Sequence, residues 1–148
     1  MTRLLVENAQ LGYGDKVICP GVDLQIPDGQ FTVIVGPNAC GKSTLLKSLT
    51  RLIAPQEGKI LLDGQSLHKK PTKEVAREVG LLPQGPVAPD GIRVIDLVSR
   101  GRYPHQSLFK PWSPEDEQAV KEAMEATGIR ELSGRLVDEL SGGQRQRV

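Results

Sequence analysis

Nine consecutive residues have the makings of a grip on phosphate. Gly36-Pro37-Asn38-Ala39-Cys40-Gly41-Lys42-Ser43-Thr44 fits the pattern G-x-x-x-x-G-K-[ST]. Backbone N–H groups can wrap an anion only where side chains do not crowd them, and a helix opening after such a loop turns its positive end toward the same anion. Lys42 can then reach the terminal phosphates of a nucleotide as a point charge, and the Ser43 hydroxyl is placed to ligate Mg²⁺. The pattern carries this meaning only where a strand precedes it and a helix follows. Without them it reads as a glycine turn with a solvated lysine.

A second cluster, Leu140-Ser141-Gly142-Gly143-Gln144, runs into Arg145-Gln146-Arg147. A hydroxyl followed by two glycines at a helix start offers another anion-accepting terminus, although alone it reads equally as a linker turn. Two single residues are weaker signals. Tyr13, in Leu11-Gly12-Tyr13-Gly14, could stack on a base or simply pack, and Gln84, after Leu81-Leu82-Pro83, could serve a site or the surface. Cys19 and Cys40 form no CxxC and have no histidine cluster nearby, so neither a disulfide framework nor a zinc site is expected, and two reduced thiols are. Cys40 reads as a small loop residue and not as a nucleophile. His105 lacks the cysteine or acidic neighbours of a metal ligand, and His68, beside Lys69 and Lys70, reads as solvated surface.

The elements that must position these residues are legible from periodicity. Arg3 to Leu11, with Leu5, Ala9 and Leu11, reads as a strand, and Val22 to Ile26 alternates before the turn Pro27-Asp28-Gly29. Phe31-Thr32-Val33-Ile34-Val35 suits a strand buried on both faces and runs into Gly36. Leu45, Leu46, Leu49 and Leu52 mark one helix face, ending near Ile53 before Pro55. Lys59 to Gly64 reads as a strand closed by an Asp-Gly turn, and Thr72 to Val79 as a short helix. Further on, Ile95 to Ser99 is a short helix and Tyr103 to Trp112 a Pro/aromatic stretch. Ser113 as N-cap, Pro114 at the first position, an acidic first turn and Gly128 at the end frame the clearest helix, with Ala119, Val120, Ala123 and Met124 as its buried face. Another helix starts after Gln144.

Composition narrows the class. The chain has 148 residues, and 19 Lys+Arg against 18 Asp+Glu leave a net charge of +1, which argues against a broad basic face for nucleic acid. Its longest uninterrupted aliphatic stretches, such as Val33-Ile34-Val35, are three residues, far short of the roughly 18 residues of a membrane span. The N-terminus lacks a basic start followed by an apolar segment, so export and insertion are not expected.

Taken together, the phosphate loop and the Leu140–Gln144 pentapeptide resemble the nucleotide-binding domain of ATP-binding cassette (ABC) proteins. The resemblance implies an α/β fold of the P-loop NTPase class: a β-rich ATP-binding core over about residues 1–85 and a helical lobe over about 86–148 that ends in the signature motif. It implies ATP and Mg²⁺ as ligands, Tyr13 as the ring stacked on adenine, and Gln84 as the Q-loop glutamine near Mg²⁺ and the attacking water. It further implies a homodimer in which Ser141, Gly142, Gly143 and Gln144 of one copy close on ATP held by the other. Gly101-Arg102-Tyr103-Pro104-His105-Gln106, followed by Leu108-Phe109 and Trp112, resembles the ATPases of bacterial ferric-siderophore importers. The implied partners are transmembrane permease subunits and, indirectly, a periplasmic or lipoprotein substrate-binding protein, with no nucleic acid. The implied location is the cytoplasmic face of the bacterial plasma membrane. A soluble, non-transport ABC ATPase and a non-catalytic nucleotide-binding remnant are the rival readings.

Two departures matter. The Walker B strand with its catalytic glutamate, the D-loop and the switch histidine follow the signature in the family, whereas four residues follow Gln144 here. These 148 residues therefore hold no catalytic residue of that set, read as a fragment of a longer protein, and are expected to be inactive alone. Ala39 stands where the family commonly has glycine. If that position needs φ > 0, alanine costs on the order of 1 kcal/mol and weakens nucleotide affinity.

Overall fold

A computed structural model of the chain describes residues 2–85, 88–107, 109 and 111–148. It divides into two units, residues 1–81 and 82–148.

The first unit is built on an antiparallel sheet. Strands β1 (Thr2–Tyr13) and β2 (Lys16–Pro27) form a long hairpin, and β3 (Glu57–Leu62) and β4 (Gln65–Ser66) complete the order β2-β1-β3-β4. Turn chemistry sets both hairpins. Gly14 takes φ 54° at the first central position of the turn between Tyr13 and Lys16, as a type II′ turn requires. Asp63 and Gly64 both take positive φ, the type I′ pattern, so the Asp-Gly turn falls where the sequence places it. Along β1 the buried side chains are Leu4 and Val6, then Ala9 and Leu11, with Gly12 buried beside them. The phase changes because Asn8, at φ 45°, is an extra residue in a bulge. Leu5, expected in the core, is consequently only half-buried.

Helix α1 (Lys42–Leu49) packs on β1, and with α2 (Thr72–Glu78) it covers a core of Leu4, Val6, Leu11, Leu49, Ile60, Leu62, Leu67 and Val75. Three expectations are corrected here. Phe31 to Val35 is no strand: it has no ladder, and Phe31, Val33 and Val35 are 104%, 78% and 88% exposed. A strand buried on both faces needs a neighbour on each edge, and no described strand runs beside it. Helix α1 stops at Leu49, four residues early, with Arg51 at φ 67°, and Leu46 and Leu52 are exposed. One face of α1 meets the antiparallel sheet, so only part of its leucine stripe is covered. His68 is half-buried, and its Nε2 donates to the Ile53 carbonyl at 3.1 Å, so it is not simple solvated surface.

The second unit is helical. Helices α3 (Val94–Ser99), α4 (Pro114–Ala126) and α5 (Gly142–Arg147), with 3₁₀ turns at Arg100–His105, Arg130–Leu132 and Val137–Glu139, enclose Val94, Val120, Met124, Ile129, Leu132, Val137 and Leu140. The expected caps of α4 are present: Asp116 N–H donates to Ser113 Oγ, and the Ser113 N–H donates to the Asp116 carboxylate at 3.1 Å. Val120 and Met124 are buried, Ala119 is half-buried, and Ala123 is exposed. The last helix starts at Gly142, not after Gln144. Pro86, the expected start of the helical lobe, and Leu108 of the aromatic stretch lie outside the described residues.

Candidate functional site

The phosphate loop lies between exposed chain and α1 in the first unit. The sign of φ alternates along Asn38–Gly41, being positive at Ala39 (64°) and Gly41 (99°), a conformation that aims successive amides into one concavity. Gly41 caps α1, and a β-carbon there would collide with Cys19 Sγ on β2. Its lack of a side chain is thus required by backbone and by space. Lys42 curls back over the loop: its ammonium donates to the carbonyls of Gly36 at 2.8 Å and Pro37 at 2.5 Å and lies 3.7 Å from Cys40 Sγ. Ser43 is exposed beside it on the first turn of α1, while Thr44 is buried. A groove of about 350 Å³ lined by Cys19, Pro20, Ile34, Cys40, Gly41 and Lys42 runs along the loop. Both cysteines carry free thiols.

Tyr13 ends β1 in the same unit, half exposed, with the Lys47 ammonium over its ring at 5.9 Å from the centroid. Gln56, which the sequence reading passed over, holds the turn next to it: Gln56 Nε2 donates to the Gly14 carbonyl at 2.5 Å, and Gln10 Nε2 donates to Gln56 Oε1 at 3.2 Å. An exposed glutamine far along the chain from its acceptor leaves no periodic signal.

In the second unit, Gln84 and the start of α5 line one groove of about 470 Å³ with Leu82, Pro83, Gly142, Arg145 and Gln146. The start of α5 is self-organised. Gln144 N–H donates to Ser141 Oγ at 3.3 Å, and Ser141 N–H donates to Gln144 Oε1 at 3.0 Å. Ser141 Oγ acts there as an acceptor and keeps its own O–H to donate. The amides of Gly142 and Gly143, at the first two helical positions, have no partner within the helix, as at every helix start. Arg145 fastens α5 to the unit by donating to the Val137 carbonyl at 3.1 Å.

Arg102, singled out in the Gly101–Gln106 stretch, acts structurally. Its Nε donates to Asp116 Oδ1 at 2.8 Å, tying the 3₁₀ turn to the capped start of α4. The Arg102 guanidinium, then the Ser113 hydroxyl and amide, hold the buried Asp116 carboxyl below the usual carboxylate range. Tyr103 and Phe109 are exposed and Trp112 is partly so. Among the described residues no group of three or more His, Cys, Asp or Glu gathers as a metal site, and no helix is long and apolar enough to cross a membrane.

The sequence profile described as ABC transporter matches residues 19–148. The chain belongs to the ABC transporter family. Its α/β fold is accordingly that of the family's ATP-binding cassettes: a nucleotide-free cassette from an ABC transporter aligns over 99% of the chain and 64% of its own length, with TM-score 0.73 and 27% identity. Among curated ABC proteins, the probable siderophore transport system ATP-binding protein YusV of Bacillus subtilis is 54% identical over the whole chain and 54% of its own length. The ferric enterobactin transport ATP-binding protein FepC of Escherichia coli is 53% identical over the whole chain and 55% of its own length. The chain thus spans about half the length of the curated relatives it matches.

Proposed function

We propose that this chain is part of the ATP-binding, ATP-hydrolysing subunit that energises an ABC importer for ferric siderophores or another iron chelate. The observation that carries the reading is the phosphate loop: alternating φ at Asn38–Gly41, the Lys42 ammonium folded over its carbonyls, and Ser43 exposed alongside. Nucleotide phosphates offer Lys42 a stronger, anionic partner than two carbonyls. The relatives named for siderophore and ferric enterobactin transport, each more than half identical, support the class of cargo.

Residues 36–44 bind the phosphate chain of ATP, and Tyr13 stacks on its adenine. Mg²⁺ suits the donors available, because this ion takes one or two hard protein oxygens and completes its shell with phosphates and water. The exposed Ser43 hydroxyl is such an oxygen. When bound, the ion offsets charge on the phosphates. Ser141, with the amides of Gly142 and Gly143, closes on ATP held by a second copy, and the Gln84 loop with the helical unit meets the permease subunits. A peripheral place at the cytoplasmic face of the plasma membrane, with a substrate-binding protein outside it, completes the assignment.

The test is uptake of radiolabelled ferric siderophore by cells lacking the gene, complemented with the native protein or Lys42→Met. Restoration by the native protein and failure by Lys42→Met are expected. Uptake that survives loss of the gene would overturn the assignment.

A further inference from the structure

We infer that Gln56 is a positioning residue for base recognition, fixing the turn that presents Tyr13. In a two-residue hairpin turn the flanking residues, here Tyr13 and Lys16, pair with each other, while the carbonyl of the first central residue points away from the ladder. That carbonyl, on Gly14, is the one to which Gln56 Nε2 donates at 2.5 Å. Types I′ and II′ differ by a flip of the same central peptide, so the bond selects the II′ form seen at Gly14. The twist at the end of β1 follows from that choice, and with it the direction of the Tyr13 ring.

Three further contacts hold the device together. Gln10 Nε2 donates to Gln56 Oε1 at 3.2 Å, which orients the carboxamide with its NH₂ toward the turn. The Gln56 N–H donates to the Gln10 carbonyl at 2.8 Å, anchoring its backbone to β1. Gly12 leaves the room: a β-carbon there would run into the Lys16 carbonyl and stand 3.1 Å from Gln56 Nε2. Lys47 covers one face of the Tyr13 ring, so a base takes the other.

The inference rests on Tyr13 stacking on adenine as proposed above, and the experiment separates the two. Affinities for Mg-ATP and for Mg-tripolyphosphate, which has no base, are measured on the whole native protein and on Tyr13→Ala, Gln56→Leu and Gln56→Glu. Neither Gln56 variant can donate to the Gly14 carbonyl, and both lie at an exposed position. We expect Tyr13→Ala and both Gln56 variants to weaken ATP selectively, by about three- to ten-fold for Gln56, the scale of one hydrogen bond. Tripolyphosphate affinity stays unchanged. Equal losses for both ligands, or no loss, in the Gln56 variants while Tyr13→Ala remains selective would overturn the positioning role. A Tyr13→Ala variant with no selective loss would overturn the stacking assignment itself.

Discussion

Gly41→Ala tests whether space or backbone holds the phosphate loop in shape. At φ 99° an alanine costs about 1–2 kcal/mol of backbone strain, offset in part by about 0.4–1 kcal/mol from the stiffer unfolded chain. Its β-carbon would also collide with Cys19 Sγ and stand 3.2 Å from Ile18 Cγ2, and such overpacking costs about 1–3 kcal/mol. The single variant is therefore expected to lose roughly 1–4 kcal/mol. Cys19→Ala alone removes one half-buried sulfur and costs about 1 kcal/mol. If Cys19 is the obstacle, the double variant recovers about 1–3 kcal/mol relative to the sum of the singles. Urea titration of all four proteins gives the cycle, with constant m-values confirming that only stability has changed. Additivity within about 0.5 kcal/mol would refute the reasoning, since it would mean that the thiol swings aside and backbone strain alone excludes a side chain.

Ala39 sits at φ 64°, so the condition attached to it holds, and Ala39→Gly is expected to tighten ATP binding by up to about five-fold in a nucleotide titration. Lys42→Met removes the loop's cation and should lower ATP affinity at least ten-fold by calorimetry while leaving circular dichroism unchanged. Ser113→Ala removes the N-cap of α4 and should cost about 1 kcal/mol in urea unfolding. The Asp116 carboxyl binds protons less readily folded than unfolded, so its contribution is complete above the unfolded value near 4 and is lost as pH falls through the lower folded value. Asp116→Asn should flatten the slope of stability against pH below about 5, measured by urea titration, and an unchanged slope would remove this group from the account.

What the sequence could say followed the range of the interactions. The Asp63-Gly64 turn, the Ser113 cap and the short helices α2 and α3 depend on a few adjacent residues, and they were legible. The fate of Phe31 to Val35 was not, because burial of both faces depends on strands elsewhere and not on the run itself. The same applies to Leu46, on the uncovered side of α1, and to Leu52, which lies past the end of the helix its spacing suggests. In the site, the loop was readable as a motif, whereas the meeting of Cys19 with Gly41 and of Gln56 with Gly14 spans β2, α1 and two turns. Contacts of that kind leave no mark on local periodicity.

The single extra residue at Asn8 has a reach beyond the fold of β1. A strand is a wave of period two, and one inserted residue advances it by half a wavelength. Before Asn8 the even positions Leu4 and Val6 face the core, and after it the odd positions Ala9 and Leu11 do. Tyr13 inherits the odd phase, which delivers it to the side of the sheet where α1 and Lys47 lie. With the wave unshifted, Gly12 would face α1 and the ring would emerge on the opposite side. The polarity of the whole strand end is therefore stored in one residue, and inserting or deleting one residue between Asn8 and Tyr13 would invert it.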